Sequence, residues 1–179
     1  MNLKSIVLSG LLIATPVAHG FDLSGTLFEQ AGRQVGLDPT LIYAVSLAES
    51  ARGEGKGAIS PYPWTLRSAR ATYASTRAEA EAELKAYLES GKKKIDVGLM
   101  QINVKWNGHR IDSPVKLLDP LTNVTLGSQI LAEAIRSAPG DFELGIGRYH
   151  SWEDEARARN YGQRILAIYK NLLQLGRGQ

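Results

Sequence analysis

Apolar residues recur at three- and four-residue intervals through most of the chain beyond residue 22, the period of helices that bury one face. Asp22 or Ser24 is placed to cap a helix from Leu23 to Val35, which Gly36 stops. Asp38-Pro39 sets a capping carboxylate before a proline at the first helical position and opens a second helix from Pro39 to Ser50. Its apolar stripe is Leu41, Ile42, Val45 and Ala48, with Glu49 one position aside. A third helix is expected from Arg77 to Glu89, capped by Ser75 or by Thr76, the latter forming a capping box with Glu79, and stopped by Gly91. Asp119-Pro120 repeats the cap-plus-proline device and opens a helix to about Ser137, with Val124, Ile130, Leu131 and Ile135 inward. Asp141 caps a short helix to Tyr149, and Ser151 with Asp154 resembles a capping box for a last helix from about Glu153 to Leu175. That helix buries Tyr161, Ile165, Ile168, Tyr169 and Leu172.

The helical pattern breaks once. Residues 52–57 read as a glycine-rich loop, and Ser60–Leu66 with Ala71–Ala74 reads as an extended pair or hairpin, the only β content expected. The fold class is mainly α (α+β), one domain with a small β-hairpin flap. No internal repeat or interdomain linker is evident.

Residues 1–20 differ from the rest. Lys4 supplies a positive start, Ile6 to Ile13 an apolar stretch, and Ala18-His19-Gly20 a small-x-small cleavage site, the pattern of a cleavable signal peptide before a mature domain of residues 21–179. The stretch is shorter than the roughly 20 apolar residues that cross a bilayer, and no later segment approaches that length. The expectation is an exported, periplasmic chain with no transmembrane segment. The 179 residues contain no cysteine, so neither a disulfide framework nor a lipid-anchoring cysteine is available.

Hydrophobic residues make up 44% and charged residues 22%, which suits a globular domain rather than a disordered one. A net charge of +3 and a pI near 9.2 favour an anionic polymer as partner. Nucleic acid is not indicated, because no basic stripe interleaves with aromatics; Lys92-Lys93-Lys94 reads as a solvated turn.

Two separated words carry the candidate chemistry. Leu47-Ala48-Glu49-Ser50 puts a lone carboxylate at the end of an apolar helix, where desolvation raises its pKa and lets a protonated carboxyl act as a general acid. The alternative is a glutamate whose head reaches water. The second word, Ile95 to Asn103, supplies a second carboxylate in Asp96, a close-approach glycine in Gly98, and the hydrogen-bonding side chains Gln101 and Asn103. Gln101 and Asn103 can equally satisfy backbone groups in a turn, and Met100 suits core packing. Tyr62, Trp64, Trp106 and Tyr149 are either core aromatics or platforms for sugar rings; Tyr62 and Trp64 lie among prolines in a loop, where burial explains them less readily. His109 and His150 lack metal-ligand spacing, so no metal or other cofactor is expected. A nucleophile elbow is missing, and Gly53-x-Gly55-x-Gly57 follows a helix rather than a strand, which removes the phosphate-loop reading.

These residues resemble the lysozyme-like lytic transglycosylases, in particular signal-bearing members encoded with conjugative elements and type IV secretion or pilus systems. The resemblance covers residues 37 to 161 in the family's order: Ala48-Glu49-Ser50, Gly98-Leu99-Met100-Gln101-Ile102-Asn103, Asp119-Pro120-x-x-Asn123-Val124-x-x-Gly127, and Arg148-Tyr149-His150-Ser151. The last is similar to an Ala-Tyr-Asn-x-Gly segment, with His150 in place of Asn. The resemblance implies a lysozyme-like domain acting on peptidoglycan glycan strands, with Glu49 as acid/base and Gln101 and Asn123 shaping the groove. Tyr149 would lie near Glu49 and orient it. Ser50, Tyr62, Trp64, Gly98, Met100, Asn103 and Trp106 complete the expected substrate-binding set, and secretion or pilus components are the expected protein partners. The stretch from Asp96 to Trp106 also resembles Asp-Tyr-Gly-Ile-Leu-Gln-Ile-Asn-Ser-Arg-Trp of animal lysozymes, which would make Asp96 a second catalytic carboxylate. Three functions follow: a lytic transglycosylase, a hydrolytic muramidase using Glu49 and Asp96, or a non-catalytic wall-binding assembly component.

Overall fold

The computed structural model describes residues 21–55 and 57–177. The expected signal peptide lies outside them. Among the described residues, seven α-helices and six short strands follow in the order α1 (Leu27–Val35), α2 (Pro39–Ser50), β1 (Ala51–Gly55), β2 (Ala58–Pro61), β3 (Thr65–Arg67), β4 (Ala71–Tyr73), α3 (Arg77–Glu89), β5 (Asp96–Val97), β6 (Ile102–Asn103), α4 (Val104–Asn107), α5 (Pro120–Arg136), α6 (Phe142–Arg148) and α7 (Glu155–Arg177). The fold is mostly helical with small antiparallel sheets, a lysozyme-like α+β arrangement. Among the described residues no helix is long and apolar enough to cross a membrane.

Short polar side chains set most helix starts. Asp38, Asp119 and Asp141 accept hydrogen bonds from the N–H groups of Thr40, Thr122 and Leu144 at 2.7, 2.9 and 3.0 Å. Thr76 accepts from Glu79 N–H at 3.2 Å while the Glu79 carboxylate accepts from Ser75 N–H at 2.8 Å, a box shifted by one residue at its outer end. Two starts differ from the sequence reading. The first helix begins at Leu27 under Thr26, because Gly25 at φ 74° turns the chain and Asp22 is occupied with the Ser24 N–H and hydroxyl. The last begins at Glu155, with Asp154 itself accepting from Arg157 N–H at 3.0 Å.

α2 passes between α1 and α7, and α5 packs on α1 and α6, so that Leu41, Ile42, Val45, Leu131, Ile146 and Ile165 are fully buried in one core. α6 and α7 come together through glycine: a Cβ on Gly147 would stand 2.0 Å from the Ala158 carbonyl oxygen, and one on Gly162 would stand 2.2 Å from that of Glu143.

The β content exceeds the expected single hairpin. Residues 52–55, read from sequence as part of a loop, belong to β1, which leaves α2 directly and pairs antiparallel with β2; Gly55 and Gly57 have φ 83° and 79°. Both faces of the pair are solvated, so it lacks the apolar alternation that announces a strand. The second sheet has strand order β4-β3-β5-β6. Its register aligns Leu66, Val97 and Ile102 toward the core and Arg67, Asp96 and Asn103 on the opposite face. That face borders the candidate site.

Candidate active site

The C-terminal turn of α2 delivers Glu49 to a recess between α7 and the four-stranded sheet. The Tyr161 hydroxyl, projecting from α7, donates to Glu49 Oε1 at 2.6 Å. Glu49 keeps an edge open to solvent, yet protein surrounds its carboxyl closely enough that desolvation dominates and raises its pKa above the ordinary glutamate value. The Tyr161 hydrogen bond and the charges of Arg164 and Arg67 oppose that shift, and Asp96 reinforces it. Both guanidiniums are tied to the end of the helix: Arg67 donates to the Glu49 carbonyl at 3.0 Å and Arg164 to the Ala48 carbonyl at 3.4 Å. Burial and the neighbouring Glu49 charge push the Tyr161 phenol well above its usual pKa, so it remains a donor.

Asp96 lies on the groove-facing side of β5 and accepts from Asn103 Nδ2 at 2.6 Å. Burial raises its pKa; the Asn103 bond and the Arg67 and Lys94 charges pull the other way. Asn103 also caps α4, its Oδ1 accepting from the N–H groups of Lys105 at 3.1 Å and Trp106 at 3.3 Å. Trp106 stands 65% exposed beyond it, with the Lys105 ammonium 4.7 Å from its ring centre.

The segment that follows Asp96 and meets the end of α2 is a tightly bonded floor. Gly98 has φ 81°, and a Cβ there would meet Asn123 Nδ2 at 2.2 Å and the Leu117 carbonyl at 2.8 Å. Asn123, 1% exposed, accepts from Met100 N–H at 2.8 Å and donates to the Val97 and Leu117 carbonyls at 2.8 and 2.9 Å. Gln101 adopts φ 47°, a left-handed conformation that side chains resist. Its amide holds it there, donating to the Thr65 and Gly98 carbonyls at 3.0 and 2.9 Å and accepting from Arg67 Nε at 3.2 Å. Met100 is fully buried over Gly127, where a Cβ would come within 2.4 Å of its sulfur. Ser50, also buried, donates to the Leu99 carbonyl at 2.7 Å and so joins the end of α2 to this floor.

Tyr149 donates to the Met100 carbonyl at 2.6 Å, which places it under the floor; burial and the charges of Glu49 and Asp96 raise its pKa well above the usual value. The hydroxyl that reaches Glu49 is therefore that of Tyr161. Tyr62 donates to the Ala74 carbonyl at 2.6 Å, packs edge-on against Trp64 at 5.8 Å, and carries the Arg52 guanidinium 4.3 Å above its ring. Trp64 is half-buried against the core, its indole N–H without a hydrogen-bond partner among the described residues.

Sequence reasoning brought Glu49, Asp96 and their floor to one place but did not single out Tyr161, Arg67 or Arg164. A signal existed for Tyr161, because a phenol in an otherwise aliphatic helical stripe needs a partner for its hydroxyl. The family comparison coincides with this geometry: the model described as "Transglycosylase SLT domain" matches residues 26–170. The chain belongs to the transglycosylase SLT domain family. The match spans α1 to most of α7 and so contains every element that borders the site in this SLT domain. No curated protein matches the chain, and no solved structure does. Family membership carries a peptidoglycan-related role.

Proposed function

We propose that this SLT-domain protein is a lytic transglycosylase that cleaves the β-1,4 bond between N-acetylmuramic acid and N-acetylglucosamine in peptidoglycan. The observation that carries the reading is the recessed Glu49 carboxyl, with its raised pKa and the hydroxyl of Tyr161 donating to it. A carboxyl tuned this way is protonated closer to neutrality and can give its proton to the glycosidic oxygen. The bond from muramoyl C1 to that oxygen then breaks, and the leaving N-acetylglucosamine departs with a free 4-hydroxyl. Glu49, now ionised, takes the proton of the muramoyl C6 hydroxyl as that oxygen bonds to C1. The product carries a 1,6-anhydro ring, no water is consumed, and Glu49 ends protonated as it began. The Tyr161 hydrogen bond favours the ionised intermediate state of the carboxyl and fixes its direction.

In this reading Ser50, Gly98, Met100, Gln101 and Asn123 shape the floor, with Tyr149 bracing it. Asn103, Trp106, Tyr62 and Trp64 form the flanks along which the glycan lies. The enzyme would act in the periplasm after removal of residues 1–20, opening the wall locally for a conjugation, secretion or pilus apparatus.

Asp96 is assigned to groove polarity and to holding Asn103. Asp96→Asn keeps an oxygen that accepts from Asn103 but exchanges a charge-assisted hydrogen bond for a neutral one, an expected loss of about 1 kcal/mol and about fivefold in activity. Clearing of a peptidoglycan-containing gel by wild-type and Asp96→Asn protein tests this. Absence of clearing by the folded wild-type protein would favour a wall-binding role without catalysis.

A further inference from the structure

We infer that His150 is a positioning residue whose imidazole, lying flat on the Tyr161 ring, keeps the phenol hydroxyl on Glu49. The inference rests on Glu49 being the acid of the proposed reaction. The two ring centres are 4.7 Å apart and the planes are 1° from parallel. His150 belongs to the turn after α6, whereas Tyr161 belongs to α7, so the stack joins two packed elements. The turn itself is fixed: the N–H groups of His150 and Ser151 donate to the Gly147 carbonyl at 3.0 and 3.1 Å, and Gly147 is pressed against Ala158.

The carboxyl depends on this clamp, because Arg67 and Arg164 hydrogen-bond to backbone carbonyls at the end of α2 and leave Tyr161 to orient the acid. Arg157 Nε donates to His150 Nε2 at 3.3 Å, which requires that nitrogen to be an unprotonated acceptor. Protonation would replace the acceptor with a donor facing Arg157 and add a cation near Arg164; burial and these two charges lower the His150 pKa. The Arg157 hydrogen bond and the lowered pKa both favour the neutral, stacked imidazole, although one side of the ring is exposed. Glu49 itself faces Tyr161 and Arg164 from α7, Arg67 from β3, Asp96 from β5, and Tyr149.

The test titrates the Glu49 carboxyl carbon by NMR and measures kcat and KM on soluble glycan strands. The proteins are wild type, His150→Ala, His150→Phe, Tyr161→Phe and the double variant His150→Ala/Tyr161→Phe. His150→Ala is expected to lower kcat about tenfold through misplacement of the acid, with KM little changed. It should also move the Glu49 titration, and with it the alkaline limb of the pH profile, to higher pH, because the Tyr161 bond favours the ionised carboxyl. Tyr161→Phe should move the titration in the same direction, the double variant should move it no further, and His150→Phe should restore both readouts by restoring a stacked ring. A wild-type titration in folded His150→Ala, shifts that add in the double variant, or failure of His150→Phe to restore them would each overturn the inference. The titration needs no substrate, so an inactive wild-type protein would count against the proposed reaction alone.

Discussion

Glu49→Gln is expected to reduce wall-lytic activity by about 10²–10⁴-fold, the range typical of a general acid–base group, while leaving the fold intact. The amide has the shape of the carboxyl and can still accept the Tyr161 hydrogen bond, but it has no proton to give and recover. The same substitution should stabilise the protein near neutral pH. A carboxyl whose folded pKa lies above its unfolded value contributes stability that is complete below the unfolded value, near 4.5, and is lost as pH rises through the folded value. Glutamine carries no such pH-dependent loss. Thermal unfolding of the two proteins should therefore diverge as pH rises from 4 to 7, with Glu49→Gln the more stable. A folded Glu49→Gln protein that clears peptidoglycan at the wild-type rate would remove Glu49 from the chemistry.

Asn123→Ala is expected to cost about 3 kcal/mol or more, because it strands the Met100 N–H and deprives two buried carbonyls of donors, each at about 1–3 kcal/mol. For a domain of this size that corresponds to a fall in Tm of about 6–12 °C. Activity should fall as well, since the affected backbone at Gly98–Gln101 follows Asp96 and is tied through Leu99 to Ser50, next to Glu49. Urea unfolding of Asn123→Ala beside wild type measures the loss. A loss below about 1 kcal/mol would mean that water replaces the amide and that the floor does not depend on it.

The helical frame was legible because its signals are local. Asp38-Pro39 and Asp119-Pro120 announce a helix start without any tertiary information, and the stripe of α2 names the core side directly. The β1–β2 hairpin was not legible, since a strand solvated on both faces leaves no alternation to read. Nor was β5–β6: two-residue strands carry no alternation of their own, and Asp96 takes its place in the sheet from Arg67, far back along the chain, as well as from Asn103. The site divides in the same way. Glu49 stood out as a charge beside an apolar stripe, whereas Arg67 is an ordinary arginine in sequence and gains meaning only when the sheet sets it beside Gln101 and the end of α2. The resemblance placed Tyr149 near Glu49, whose charge it does feel, but its hydroxyl bonds the Met100 carbonyl, while Tyr161, which the helical period marked only as part of the α7 stripe, bonds the Glu49 carboxyl.

The central claim is that Glu49 closes a 1,6-anhydro ring rather than delivering water, and the masses of muropeptides released from purified peptidoglycan decide it. An anhydromuramic end is lighter by one water than a hydrolytic reducing end. The account predicts the lighter product from the wild-type protein, with Asp96→Asn still forming it at a modestly reduced rate. Release of hydrolytic ends, together with an Asp96→Asn protein as inactive as Glu49→Gln, would contradict it and make the two carboxylates a hydrolytic pair.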